Sequence, residues 1–152
     1  GRAKAHLFQT SKEITEKYAA DGIKAYISVN KALVTQSSAA IPIVPLYISI
    51  LYKVMKEKGV HEGCIEQMYR LFAEKLGADG KPVSGAVDAE GRIRLDDLEM
   101  KPEIQDEVTK LWNLLNADNF KEYTDIDGYW KDFYELFGFG MDGVDYDADV
   151  EV

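Results

Sequence analysis

Basic side chains, histidine and cysteine are all scarce in this 152-residue sequence. Lysine and arginine total 18 against 27 aspartates and glutamates, a net charge of −9. Such a chain is repelled by phosphate backbones, which argues against general nucleic-acid binding. A single cysteine, Cys64, excludes an intrachain disulfide framework and fits a reducing, cytoplasmic setting. The 2 histidines, His6 and His61, are too few for most metal or triad chemistry. His61 and Cys64 are three apart on a predicted helix, but two ligands do not make a zinc site. Long hydrophobic runs are missing too. The longest, Ile41 to Met55, is broken by Ser49 and Lys53, holds two prolines, and falls short of the roughly 20 residues a bilayer span requires. The opening Gly1-Arg2-Ala3-Lys4 leads into an amphipathic stretch without the apolar core of a signal peptide.

What is present is a composition of 46% hydrophobic and 30% charged residues, enough for one ordinary domain with a real core. Leu7, Phe8, Ile14 and Tyr18 among polar neighbours predict an amphipathic helix over 2–18, ended at Asp21-Gly22. Ile23 to Asn30 alternates at period two and reads as a strand, with Lys31 to Ser38 as its exit loop. Pro42 and Pro45 introduce a largely buried helix, Leu46 to Lys58, closed by Gly59. Ile65, Met68, Tyr69 and Phe72 recur at helical spacing within His61 to Leu76, and Gly77 stops that helix. Residues 77–91 read as an excursion or loop. Pro102 opens a helix with Ile104, Val108, Leu111, Trp112 and Leu115 on one face, and an aromatic helix, Tyr129 to Phe137, precedes an acidic tail. One clear strand needs partners for its backbone groups. Weak strands near 92–95 and 144–146 could supply them, but a sheet lying in other parts of a longer chain is favoured.

Some motifs invite a function that their setting denies. Gly138-Phe139-Gly140-Met141-Asp142-Gly143 is a literal GxGxxG. A dinucleotide fingerprint follows a strand and opens a helix, whereas this one follows a helix and opens onto Asp145, Asp147 and Asp149. Glycine turns are the expected role. Asp88-Ala89-Glu90-Gly91-Arg92-Ile93 has the spacing of mid-EF-hand residues, yet Ala86 and Asp97 stand where the first and last calcium ligands belong. A turn or hairpin is expected there. Trp112, Tyr123, Tyr129, Trp130, Phe133, Tyr134 and Phe137 are by default core packing.

Three segments are more specific: Val29-Asn30-Lys31-Ala32-Leu33-Val34-Thr35; Ile41 to Tyr47 with Leu51 to Gly59 and His61 to Ile65; and Gly138 to Tyr146. Their order and spacing resemble the C-terminal portion of trans-2-enoyl-CoA reductases and monomeric enoyl-acyl-carrier-protein reductases. The similarity runs along essentially the whole chain. It implies an α/β fold, the C-terminal part of an elaborated Rossmann (short-chain-dehydrogenase-like) domain, mostly helical here with one clear parallel-sheet strand. All of 1–152 would then belong to one reductase domain, with substrate-lid helices at about 41–76 and an excursion at about 77–100.

The resemblance further implies NADH-dependent reduction of the trans-2 double bond of enoyl-CoA or enoyl-ACP thioesters in fatty acid synthesis. Lys4 matches the lysine of a tyrosine–lysine motif whose tyrosine would stand nine positions earlier, before residue 1, so the isolated chain is expected to be inactive. Lys4 would serve catalysis and hold the nicotinamide ribose, and Leu33, Val34 and Thr35 would contact the nicotinamide half of NADH. Tyr129 matches a tyrosine near the acyl pocket. The other expected partners are the thioester and the N-terminal part of the same fold, with no nucleic acid and no membrane span, and the complete enzyme is expected to be a monomer. The alternative from another class is a non-catalytic helical interaction or calcium-binding module.

Overall fold

The computed structural model describes residues 1–149, which divide into two compact units. The first comprises 1–31 and 64–98, the second 32–63 and the chain from 99 onward.

In the first unit α1 spans Arg2–Lys17, as the amphipathic pattern predicts, and Gly22 takes the left-handed conformation (φ 73°) that lets the chain reverse. The predicted strand 23–30 shrinks to β1, Ser28–Val29, because the preceding residues spend their hydrogen bonds elsewhere. Ile23 N–H donates to Tyr18 O, and Ala25 N–H donates to Thr15 Oγ1 at 3.0 Å. The partner of β1 also differs from the favoured expectation. It is β2, Ile93–Arg94, a parallel neighbour within this chain with Ser28 opposite Ile93. Residues 144–146 form no strand. Ile93 N–H donates to Ile27 O and Leu95 N–H to Val29 O, so the short ladder meets the backbone demand along one edge of β1.

Helix α4, Cys64–Arg70, continues through a wider turn at Leu71–Lys75. Its inward side chains are polar. Gln67, fully buried, accepts from Lys31 N–H and donates to Leu95 O, each at 3.1 Å. Arg70 donates to Leu95 O at 2.6 Å and to Asp97 at 2.7 Å, and Lys75 reaches the other Asp97 oxygen at 2.6 Å. The periodic apolar residues face outward instead: Ile65, Tyr69 and Phe72 are 80%, 72% and 69% exposed. The excursion after Leu76 is tied by antiparallel bridges, Leu76 to Pro82 and Val87 to Ile93. At the second, the Asp88 carboxylate accepts from the Glu90 and Arg92 amides and pairs with the Arg92 guanidinium. Hydrogen bonds from Arg92, set against burial, hold that carboxyl below its ordinary range.

The second unit is built on α3, Val44–Glu57, buried at Ile48 through Tyr52 and again at Val54 and Met55. Pro45 sits in its first turn and Gly59 (φ 67°) follows its end, as the sequence indicates. Ile43, just before the helix, carries φ 72°, a strained conformation for a β-branched residue. Around α3 lie α5, Pro102–Leu114, contributing buried Ile104, Val108 and Leu111, and α7, Ile126–Glu135, contributing buried Tyr129. Two short helices go unpredicted: α2, Gln36–Ala39, and α6, Phe120–Tyr123.

The junction of α7 with α3 is polar. Asp125 caps α7 by accepting from Gly128 N–H at 3.1 Å, pairs with Lys56 at 2.6 Å, and donates its own N–H to Ser49 O at 2.8 Å. A Cβ on Gly128 would lie 2.7 Å from both Asp125 Cγ and Lys56 Nζ. Gly128→Ala is therefore expected to cost about 1–3 kcal/mol by overpacking, measured by urea unfolding. Wild-type stability would mean that Asp125 yields freely.

A pH test follows from Asp97. Burial pushes its carboxyl upward, but hydrogen bonds from Lys75 and Arg70 outweigh this and hold it below the usual carboxylate range. A group depressed in the folded state stabilises above its unfolded pKa, about 3.9, and loses that contribution as pH falls through the folded value. Asp97 is 38% exposed, so screening limits the effect. Asp97→Asn is expected to lower stability by about 1 kcal/mol near neutral pH, the gap closing below about pH 4. A gap that does not change with pH would refute the assignment.

Candidate functional site

Within the second unit the chain enters at Ala32 and passes through Leu33, Val34 and Thr35 into α2. Thr35 and Ser38 hold this bend by a reciprocal cap. Ser38 N–H donates to Thr35 Oγ1 at 3.0 Å, and Thr35 N–H donates to Ser38 Oγ at 2.9 Å. The Ser38 hydroxyl lies 2.8 Å from Leu33 O, which accepts from it. The Thr35 hydroxyl thus already has a structural use as an acceptor, and its O–H remains the group it can offer outward. Val34 is buried, while Leu33 and Thr35 are half-buried.

Val34 packs in one apolar cluster with Ile48, Tyr52 and Tyr129, flanked by Ala32, Val44, Tyr47, Ile126 and Phe133. Two of the sequence-derived positions, Val34 and Tyr129, therefore share a cluster although 95 residues separate them in sequence. Burial pushes the Tyr129 phenol upward, so it remains a protonated donor at neutral pH. Trp130 meets Tyr129 and Phe133 edge-on, and Phe133 meets Phe137, extending an aromatic row along α7. Lys4 is in the first unit, exposed on the opening turn of α1.

One part of the neighbourhood escapes sequence reading. Glu99, only 6% exposed, accepts from Tyr47 OH at 2.6 Å through one oxygen and from Ala32 N–H at 2.7 Å through the other. Gln105 donates to Tyr47 OH at 3.2 Å and to Glu99 O at 2.9 Å. Contacts between positions 52 and 67 apart leave no local periodicity to read. The Thr35–Ser38 cap did have a local signal, a hydroxyl residue followed three positions later by another side chain able to cap in return.

In the tail, Gly138, Gly140 and Gly143 take φ of 78°, 73° and 78°, the turns expected of them. Tyr146 OH closes the loop, accepting from Met141 N–H at 2.8 Å and donating to Gly138 O at 2.7 Å. Among the described residues no group of histidine, cysteine and carboxylate side chains could hold a metal ion.

Comparison with known proteins sets this geometry in context. A family profile described as the trans-2-enoyl-CoA reductase catalytic region matches residues 1–77. A second, described as the enoyl reductase FAD binding domain, matches residues 87–150. The chain is 56% identical, over its whole length, to a trans-2-enoyl-CoA reductase [NADH] of Ruminiclostridium cellulolyticum, 38% of which it covers. It is also 56% identical to an enoyl-[acyl-carrier-protein] reductase [NADH] of Coxiella burnetii, covering 37% of that protein. The crystal structure of Treponema denticola trans-2-enoyl-CoA reductase in complex with NAD superimposes with a TM-score of 0.87 at 46% identity, over 99% of this chain and 37% of that one. The chain thus spans well under half the length of the relatives it matches.

The residues present do not fit the pyrophosphate of a flavin dinucleotide. Segment 87–150 carries 18 carboxylate residues against 6 lysines and arginines. Arg92 and Arg94 are engaged by Asp88 and Asp96. The glycine-rich turns follow the C-terminus of α7, the negative end of a helix dipole. With two family profiles side by side over nearly all of its length, close relatives at 56% identity and a backbone that superimposes on a solved reductase, the chain belongs to the trans-2-enoyl-CoA reductase family.

Proposed function

We propose that this chain is the C-terminal portion of a single reductase domain. The complete enzyme reduces the trans-2 double bond of enoyl-CoA or enoyl-ACP thioesters with NADH, in fatty acid synthesis. The observation that carries the reading is the one cluster that joins Val34, beside the strand-exit bend, to Tyr129 and the buried face of α3. Ligands of open α/β sheets gather at such strand ends, and an apolar wall with few polar groups suits an acyl chain.

NADH, when bound, supplies the hydride that reaches the β-carbon of the thioester. Residues Leu33, Val34 and Thr35 would hold its nicotinamide half through main-chain groups and the Thr35 O–H, the bend being fixed beforehand by Ser38. Negative charge develops on the thioester oxygen as the double bond is saturated, and a protonated hydroxyl aimed at it lowers the barrier. Lys4 is assigned to hold the ribose and to lower the pKa of the motif tyrosine of the complete enzyme, which an ammonium does by favouring the phenolate. Tyr129, packed against Tyr52 and Ile48, is assigned a place beside the acyl pocket.

The outward apolar faces of α1 and α4 support the fragment reading. Leu7 is 59% exposed on α1, and Ile65, Tyr69 and Phe72 more so, the last three lining one apolar patch of the kind that marks an interaction surface. The N-terminal remainder of the fold is the assigned cover for it. Among the described residues no helix is long and apolar enough to cross a membrane. The complete enzyme is assigned as a cytoplasmic monomer.

Turnover tests the reading. The full-length enzyme should oxidise NADH with crotonyl-CoA, and purified 1–152 should not. In the full-length enzyme Lys4→Ala is expected to lower kcat by about a hundredfold or more, the range for impaired general-acid catalysis by the tyrosine it supports, and to weaken NADH binding. Wild-type rate and affinity would show that Lys4 is the wrong lysine, and turnover by 1–152 alone would end the fragment reading.

A further inference from the structure

We infer that Glu99 is a positioning residue for the nicotinamide-binding bend, acting through the Ala32 peptide, with Tyr47 and Gln105 as its supports. The inference rests on the cofactor role proposed above for Leu33 to Thr35.

The geometry is economical in one sense and costly in another. Both carboxylate oxygens of Glu99 are used, one on the main chain of the bend at Ala32 and one on Tyr47 of α3. Gln105, from α5, joins Tyr47 to the Glu99 carbonyl, so two helices and the bend meet around a single buried residue. Desolvating a carboxylate is expensive, and a neutral acceptor would satisfy an amide at lower cost. What the charge adds is a shorter and stronger bond to that amide.

The bend is thereby pinned on both sides. Ala32 is fixed by Glu99, and Leu33 O and Thr35 N–H are fixed by Ser38. Main-chain groups held in place before the cofactor arrives carry no further ordering cost at binding. Burial and Glu99 both push the Tyr47 phenol upward, which keeps it a donor to the carboxylate throughout the physiological range. A residue acting this way changes affinity for NADH and leaves affinity for the thioester alone.

Steady-state kinetics of the full-length enzyme, varying NADH and crotonyl-CoA separately, test this together with NADH affinity from fluorescence titration and the thermal midpoint. Glu99→Ala is expected to raise both KM and Kd for NADH about tenfold, the loss of one charged hydrogen bond. The KM for crotonyl-CoA should stay within about twofold, well below that one-bond loss. Glu99→Gln can still accept from Ala32 N–H and donate to the Tyr47 oxygen, and should recover most of the affinity. A lower thermal midpoint with unchanged NADH KM and Kd would mean a purely structural residue and overturn the inference. If Glu99→Ala fails to fold, Tyr47→Phe takes its place, and unaltered NADH affinity in that variant overturns it equally. A wild-type enzyme that fails to turn over NADH with crotonyl-CoA would defeat the cofactor reading and this inference with it. Normal wild-type turnover with unaffected variants would defeat this inference alone.

Discussion

The second unit depends on one constraint, that α3 is enclosed along most of its length and must have every face met by something complementary. Ile48, Ile50, Leu51, Val54 and Met55 are all at or below 1% exposure. Each such side chain contributes roughly 1.5–3 kcal/mol relative to exposure. That gain is available only if α5 and α7 pack against the helix without stranding a polar group. Ser49, buried on α3, shows how this is met: its hydroxyl donates back to Leu46 O, and its carbonyl accepts from Asp125 N–H. The start of α7, and with it Tyr129, is set by that pair of bonds and by Lys56.

Polar side chains perform the same service elsewhere, as bridges from a helix to an irregular backbone. Gln67 and Arg70 secure Lys31 and Leu95 in the first unit, and Glu99 secures Ala32 in the second. In each case the bonded backbone lies in a connection that no ladder or helix would otherwise satisfy, where an unmet buried group is expensive. The bend at Leu33 to Thr35 is held at Ala32 by Glu99 and within itself by the Thr35–Ser38 cap. Of the side chains that hold this segment, Glu99 is the one that acts from outside it.

The outward faces of α1 and α4 follow a different logic. Ile65, Met68, Tyr69 and Phe72 have the spacing of a core-facing stripe, yet Gln67 and Arg70 take the inward position. Both faces of such a helix are committed, one by hydrogen bonds to its own unit and the other by apolar surface that water disfavours. In a chain that spans about 38% of its relatives, this is the pattern expected of an element shared between two parts of one core.

Local chemistry was legible in the sequence wherever one residue type dictates the outcome. Helices α1, α3, α5 and α7 follow from 3.6-residue periodicity, Pro45 and Gly59 from their restricted or permissive backbones, and the tail glycines from a context that denies them phosphate. Three ungapped strings carried the family. The sequence misplaced what depends on partners distant along the chain: the length of β1 and its pairing with Ile93–Arg94, the inward face of α4, and the carboxylate that holds Ala32. Short helices α2 and α6 were missed because four residues make too little periodicity to detect. Periodicity reports that a face is apolar, not which surface covers it. Hydrogen bonds between residues as far apart as Ala32 and Glu99 come into being only when the fold brings their elements together, so the tertiary structure alone decided them.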